Sequence, residues 1–333
     1  DSNTDGDIEL SGSIAVIDPD TADAVTFSFS TTVTSSDGAL GSLVITESGA
    51  WTYTLDDSVS SIQSLDAGDI YKESFAVTAN ASDSSSSVSK TIRISVTGTN
   101  DAPTVIAVIA DQSIAEDSTL SFVVPDGSFA DVDSGDSLTY TATLADGSEL
   151  PTWLSFDGNT KTFSGTPTND AVGNIEVAVT ATDSASASIS DTYTLTVSNT
   201  NDVPTLAGDI TGSVTEDATT TTTTGTLTGA DVDTGDTLTY SIAETSGTYG
   251  SIAIDSATGE WTYTLSNTDT DTDALAASAS VTETFSAVVT DAAAAQSTAQ
   301  TITITITGAN DAPVSAVIAD QSIAEDSTLS FVV

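Results

Sequence analysis

The residues of this chain that could do chemistry are almost all carboxylates, and they recur at matched places. Cysteine and histidine are both absent. Their absence removes thiols, imidazoles, disulfides and the usual zinc ligands. What remains is oxygen. An Asp-x-Asp pair occurs at Asp18 and Asp20, at Asp131 and Asp133, and at Asp231 and Asp233. A single aspartate precedes the last apolar-alternating run of each segment, at Asp83, Asp183 and Asp291. A Glu-Asp pair opens the later segments, at Glu116 and Asp117, Glu216 and Asp217, and Glu325 and Asp326. An Asn-Asp pair closes each segment, at Asn100 and Asp101, Asn201 and Asp202, and Asn310 and Asp311. Carboxylate, amide and backbone carbonyl oxygens are what a hard cation such as calcium takes as ligands. A hydrophilic turn would also use Asn and Asp, but solubility alone would not place four acidic elements at matching points. Carboxylate pairs can also hydrolyse glycosides. Nothing in the sequence marks a cleft, so these acids are better employed as ligands and no enzyme is expected.

The elements that must position these acids are short strands. TGTNDAP at 97–103, SNTNDVP at 198–204 and TGANDAP at 307–313 each close a run of alternating apolar and polar residues and end in proline. Proline cannot donate to a sheet ladder and stiffens the start of the next segment, so these stretches read as linkers. Their aspartates lie 101 and then 109 residues apart, the size of one small β domain per interval. Alternation in SGSIAVID, AVTFSFS, GSLVITES, AWTYTLD, YKESFAVTA and SKTIRISVTG gives six or seven strands in the first interval, and the later intervals keep that rhythm. The expected fold class is all-β, with tandem Greek-key β-sandwiches at 1–101, 102–202 and 203–311 and the first strands of another at 312–333. GAWTYTL at 49–55 returns as GEWTYTL at 259–265, so the domain types alternate. In such sandwiches the early turn, the late turn and the preceding linker meet at one pole. The opening acids and the middle loop lie at the other.

Composition agrees. The 333 residues carry 49 acids against Lys72, Lys90, Arg93 and Lys161, a net charge of -45. That charge repels nucleic acid and anionic membrane and opposes compaction, so divalent cations or high salt must screen it. Yet charged residues are only 16% of the chain, and the abundance of Ser, Thr, Val, Ile and Ala is that of sheets rather than of a disordered acidic tail. No apolar run of membrane-spanning length occurs, and DSNTDGDIEL lacks the regions of a signal peptide. AVIADQSIAEDSTLSFVV at 107–124 recurs unchanged at 316–333, so the chain reads as an internal piece of a longer repeat protein. Trp51, Tyr53 and Leu55, like Trp261, Tyr263 and Leu265, are spaced by two, which places each trio on one strand face, most simply the core. Trp153 in LPTWLSF is expected in the core as well. Thr219–Thr224 is expected to be a solvated loop or edge strand.

The NDAP linkers, the Asp-x-Asp pair, the late Asp and the opening Glu together resemble the calcium-binding layout of cadherin repeats. LPTWLSFDGNTKTFSGTPTND is similar to the dystroglycan type of cadherin-like domain, and GxWTYTL with a terminal TGxNDAP is similar to the VCBS repeats of very large bacterial surface proteins. The resemblance implies calcium held at the first junction by Asn100, Asp101, Asp131, Asp133 and Asp183. At the second it implies Glu116 or Asp117 with Asn201, Asp202, Asp231, Asp233 and Asp291. At the third it implies Glu216 or Asp217 with Asn310 and Asp311. The Asp-Arg-Glu motif of cadherins is missing, and only Asp170 sits in a comparable place. The resemblance further implies a calcium-stiffened extender of a repeat-in-toxin adhesin, exported by type I secretion to the bacterial surface and acting in adhesion or biofilm formation. Its partners would be neighbouring repeats, like chains on other cells or extracellular polysaccharide. The alternative is an array of carbohydrate-binding modules.

Overall fold

The computed structural model describes residues 7–17, 27–29, 34–35, 40–81, 86–313, 322–325 and 328. Asp18, Asp20, Asp83 and Asp326 lie outside the described residues. The chain divides into two compact units, Asp1–Ser198 and Asn199–Val333. Unit 1 contains two separate hydrophobic cores, one built from residues between Leu43 and Ile94 and one from residues between Ile109 and Leu195. Unit 2 contains one, from Leu206 to Ile306. Among the described residues no helix is long and apolar enough to cross a membrane.

Unit 2 shows most plainly how the sequence makes the fold. Its first sheet runs Thr205–Gly208, Thr222–Ala230, Glu260–Leu265, Gly250–Ile254. Its second runs Thr211–Thr215, Gln300–Thr307, Ser280–Thr290, Thr239–Ile242. All pairings are antiparallel except Thr211–Thr215 with Gln300–Thr307. This is a Greek-key sandwich in which the chain crosses between sheets before its second strand. Side chains alternate between faces along a strand, so in QTITITIT the three isoleucines, Ile302, Ile304 and Ile306, are fully buried while the threonines face outward. In EWTYTL, Trp261, Tyr263 and Leu265 are buried and Glu260, Thr262 and Thr264 exposed. The second half of the threonine run, Thr222–Thr224, begins a strand paired with Thr262–Thr264, and the rest of the run precedes it.

The second sandwich of unit 1 repeats the plan. One sheet orders Thr139–Leu144, Gly173–Thr182, Ser188–Ser198, Gln112–Ala115, the last pair parallel; the other orders Leu120–Val123, Thr162–Gly165, Leu154–Asp157. In the first sandwich, Asp7–Ser13, Ala50–Asp56 and Gly41–Ile45 form one sheet, and the hairpin Ile70–Ala81 with Ser87–Thr97 dominates the other. The strand lies at Asp7–Ser13 rather than over SGSIAVID, because Gly12 is the residue that must sit opposite Trp51. A Cβ on Gly12 would come within 2.4 Å of the Trp51 ring, and one on Gly225 within 2.5 Å of the Trp261 ring. The two matching GxWTYTL strands thus each need a glycine across the ladder.

Two glutamates occupy core-facing strand positions. Glu283 accepts hydrogen bonds from the Tyr249 backbone N–H and the Tyr263 hydroxyl, both at 2.6 Å. Glu73 accepts from the Leu40 and Gly41 backbone N–H groups at 2.6 and 3.1 Å. Burial, then the adjacent Glu283 carboxylate, hold the Tyr263 hydroxyl far above its ordinary range. Burial and Glu73 do the same for Tyr53.

Gly225→Ala should overpack the Trp261 site and lower the stability of unit 2 by about 1–3 kcal/mol, whereas Trp261→Ala should cost about 3–5 kcal/mol. Denaturant unfolding followed by tryptophan fluorescence for the first variant, and by circular dichroism for both, checks the order. An alanine at 225 with unchanged stability would show that the ring has room to move.

Candidate metal centre

The folding of the second sandwich brings three sequence-distant elements to one pole. The linker supplies Asn100 and Asp101, the turn after Phe129–Ala130 supplies Asp131, Asp133 and Asp136, and the turn between the last two strands supplies Asp183. The backbone fixes them by a closed set of bonds. The Asn100 amide donates to the Asp101 carbonyl at 2.7 Å and to Asp183 Oδ2 at 3.0 Å. The Asp101 N–H donates to Asp133 Oδ2 at 2.7 Å, and the Asp133 N–H to Asp131 Oδ1 at 3.0 Å. Asp183 Oδ1 accepts from the Ala187 N–H at 2.8 Å, and Asp136 Oδ1 from the Ser184 hydroxyl at 2.5 Å.

These bonds leave oxygens over. Asn100 Oδ1, Asp131 Oδ2, Asp133 Oδ1 and Asp136 Oδ2 are buried and accept no hydrogen bond. Buried acceptors without donors are rare in folded proteins. Carboxylate oxygens of Asp131, Asp136 and Asp183 lie within 4.8 Å of one another, and so do oxygens of Asp66, Asp133 and Asp136. Asp136 belongs to both groups. Asp66 comes from the first sandwich, whose loop also accepts the Ser134 N–H at the Ser64 carbonyl, 3.0 Å away. An all-oxygen donor set mixing carboxylates and an amide oxygen fits calcium and not a soft or imidazole-seeking metal.

The charges respond to this crowding. Burial raises the Asp133 carboxyl above the ordinary carboxylate range; the Asp101 N–H opposes that, and the charges of Asp101, Asp131 and Asp66 add to it. The Asn100 amide holds Asp183 below its usual value. In unit 2 the Asn201 amide does the same for Asp291.

Unit 2 repeats the geometry almost bond for bond. The Asn201 amide donates to Asp291 Oδ2 at 2.9 Å and to the Asp202 carbonyl at 2.8 Å. The Asp202 N–H donates to Asp233 Oδ2 at 2.7 Å and the Asp233 N–H to Asp231 Oδ1 at 3.0 Å. Asp231, Asp236 and Asp291 form the oxygen group, with Asp231 Oδ2 and Asp236 Oδ2 buried and without a donor.

At the other pole of each sandwich the two opening acids part company. Glu116 and Glu216 are buried, while Asp117 and Asp217 are exposed at positive φ, 58° and 55°. Asp117 donates its N–H to the Pro167 carbonyl at 2.8 Å, so the middle loop does lie beside the opening acids. Glu216 Oε2 accepts the Ala309 N–H at 2.9 Å, holding the backbone beside Asn310, whose amide donates to the Asp311 carbonyl at 3.2 Å. Asp170 is exposed in a short 3-10 turn and joins no acidic group among the described residues. It lines a groove of about 570 Å³ with Trp153, whose ring packs partly on the core. Of the other tryptophans, Trp261 is fully buried and Trp51 half-buried against its core.

Sequence reasoning missed Asp66, Asp136 and Asp236. The signal for the last two was present, because DVDSGD and DVDTGD place a third aspartate three residues after each pair.

Comparison with known proteins agrees with this architecture. Residues 102–198 match the family model "Putative Ig domain", and residues 201–308 match "Bacterial cadherin-like domain". No curated protein matches in sequence. Among solved structures, PcdhgB3 EC1-4 aligns with a TM-score of 0.55 and 15% identity, covering 86% of this chain and 67% of that one. Mouse cadherin-23 EC22-24 aligns at 0.50 and 16%, covering 89% and 90%. Extracellular cadherin domains 1-5 of protocadherin gamma B2 align at 0.53 and 14%, covering 93% and 58%. At these identities the likeness is one of fold: cadherin-like and Ig-like domains in tandem.

Asp133→Asn should therefore act in opposite directions with and without a cation. A carboxyl whose folded pKa is raised contributes stability below its unfolded pKa and loses it as pH rises through the folded value. At neutral pH in chelator the asparagine should raise the melting temperature; in calcium it should shrink the calcium-induced rise. Asp146→Asn, on an exposed loop where the Asp146 carboxylate only caps Ser148, should leave the calcium-induced rise intact. Equal loss of that rise in both variants would mean general charge screening.

Proposed function

We propose that this chain is a calcium-stiffened extender segment of a large bacterial cell-surface or secreted repeat protein, which projects a distal binding domain in adhesion or biofilm formation. The observation that carries the reading is the twice-built pole, where buried carboxylate oxygens, joined at the first pole by the Asn100 amide oxygen, have no donor. Calcium would take Asn100, Asp101, Asp131, Asp133, Asp136 and Asp183 at the first junction, and Asp66 would tie the preceding sandwich to the same ions. Each ion cancels two charges and crosslinks groups that otherwise repel. Asn201, Asp202, Asp231, Asp233, Asp236 and Asp291 would do the same in unit 2. The burial of Glu216 favours it over Asp217 as the acid that joins Asn310 and Asp311, and the burial of Glu116 favours it over Asp117 as the ligand of its own pair. Asp170 has the weakest support of the candidates.

The finer identity, a repeat-in-toxin adhesin with VCBS-type first and third domains exported by type I secretion, is supported by the GxWTYTL and TGxNDAP motifs and by a charge that calcium-rich surroundings would screen. Such a segment works by its length and stiffness. Its partners are then the neighbouring repeats of its own chain, and like chains or polysaccharide would be met elsewhere in the whole protein.

Calcium should raise the melting temperature. Extracellular calcium modules bind at roughly 0.1–1 mM, and ligand at about 100 times its Kd stabilises by about 2.7 kcal/mol per site. Calorimetry in calcium and in chelator checks this, with small-angle scattering to read whether interdomain orientations broaden without the ion. Identical melting curves would end the metal reading. A glycan array should stay blank, and a reproducible sugar signal lost on Trp153→Ala would favour a binding module.

A further inference from the structure

The second sheet of unit 2 presents a face of hydroxyls over three adjoining strands. Alternation turns the odd residues of Thr211–Thr215 and Gln300–Thr307, and the even residues of Ser280–Thr290, away from the core. Register then sets them side by side. Thr211, Thr303 and Thr284 form one row, Ser213, Thr305 and Thr282 form the next, and a third row is centred on Thr307. All three rows are serine or threonine throughout, on a chain whose net charge is -45.

The corresponding faces of the other sandwiches differ. In the second sandwich Glu176 stands on that face and accepts the Thr194 hydroxyl at 3.0 Å, and the Thr180 and Ser190 hydroxyls bond to each other at 2.8 Å. In the first, Thr78 and Ser89 share a bond at 2.8 Å, and Lys72 and Arg93 point outward with them. Among the described residues, no hydroxyl of the three rows in unit 2 bonds to another side chain. Their donor and acceptor capacity is therefore turned outward.

Strand geometry fixes the metric of this array. Its side chains repeat at about 4.7–4.9 Å across the strands and about 6.6–6.8 Å along them. Threonine adds rigidity, because its branched Cβ restricts χ1 and holds hydroxyl and methyl in fixed directions. A preorganised array loses little conformational freedom when it binds. The partner that fits it is a repeating, uncharged lattice of hydrogen-bonding oxygens with gaps that accept a methyl. Ice is such a lattice, with oxygen rows that repeat on a comparable scale. A sugar polymer also offers oxygens, but these rows contain no aromatic side chain on which a sugar ring could stack. Adjacent strands twist by about 20–25°, so the match is confined to a small patch centred on Gln300–Thr307.

We propose that the threonine face of Thr211–Thr215, Ser280–Thr290 and Gln300–Thr307 is an ice-binding surface, which adsorbs to the ice lattice through its ordered hydroxyls and methyls. The small, twisted patch suits slow recrystallisation better than a large depression of the freezing point. The rows contain none of the proposed calcium ligands, so ice binding and the calcium response are separate readouts. The full chain, in calcium, would be offered to slowly growing ice and assayed for inhibition of ice recrystallisation. It should enter the ice several-fold more than an inert protein of similar charge and should keep the crystals small. Thr305→Lys, at the centre of the array, and separately Thr282→Lys beside it should each return incorporation to the inert level. Thr262→Lys, on the outward face of the other sheet, should leave it intact. Thermal melting establishes that each variant is folded. Exclusion of the unaltered chain from ice would overturn the proposal, as would folded Thr305→Lys and Thr282→Lys chains that still enter it, or an equal loss in Thr262→Lys. Capture on crystalline chitin, with exclusion from ice, would assign the face to a polysaccharide instead.

Discussion

Carboxylates gathered in a partly buried pocket, with no cationic side chain among them, are the constraint on which the rest of this structure turns. Two like charges 4 Å apart repel by about 1 kcal/mol in bulk water and by about 4 kcal/mol at the effective dielectric of a protein surface. The chain has four cationic residues to set against 49 acids. Lys161 is engaged with Asp126, and Lys72, Lys90 and Arg93 lie on the hairpin strands Ile70–Ala81 and Ser87–Thr97. Relief at the poles therefore has to come from the backbone, from the Asn100 and Asn201 amides, and from outside the chain. The N–H groups satisfy one oxygen each of Asp131, Asp133 and Asp231 and leave the other without a donor. On the proposed reading, a cation with several oxygen ligands would complete what they cannot.

The same pressure explains where charge is absent. Among the described residues of unit 2, the strands include only two charged side chains, Glu260 and Glu283. Glu283 is buried on its hydrogen bonds, so one exposed charge remains on the sheets. Apart from Val288, every outward position of the long hairpin Ser280–Thr290 with Gln300–Thr307 is serine or threonine. Hydroxyls keep a sheet face soluble without adding to a net charge that already opposes folding, and β-branched threonine suits the strand. Acids are thereby reserved for turns, where a ligand can pull several of them together.

Much of this was legible beforehand because period-two alternation is a direct image of a sandwich strand. EWTYTL and QTITITIT show which residues face inward without any tertiary knowledge. The Asp-x-Asp pairs and Asn-Asp linkers were legible because they repeat. Asp66 was not, since it reaches the site across a domain boundary and nothing in LDAGD distinguishes it from a surface acid. The buried glutamates were hidden for a different reason. Glu73 and Glu283 fall in step with buried neighbours, but a carboxylate at a core position is tolerated only where donors await it, and those donors are backbone N–H groups beginning another strand. Nor could sequence choose between Glu116 and Asp117. The turn there demands a left-handed residue, which aspartate tolerates better than glutamate, so Asp117 takes the strained place in solvent and Glu116 goes inward.

The two related sandwiches share a fold without sharing a donor set. The loops from Leu55 to Glu73 and from Leu265 to Glu283 have the same length. Ile62 and Thr272, at matching positions, are both buried, and Gly68 and Ser278 both hold positive φ. The backbone is thus preserved through the loop. Yet Ala276 stands where Asp66 stands, so a junction that follows the third domain lacks the carboxylate which the first domain contributes to the next. Conserving a loop's shape needs only its buried anchor and its left-handed residue. Its charge is free to vary, and the cation affinity of successive junctions can differ along one chain while every sandwich keeps the same strands.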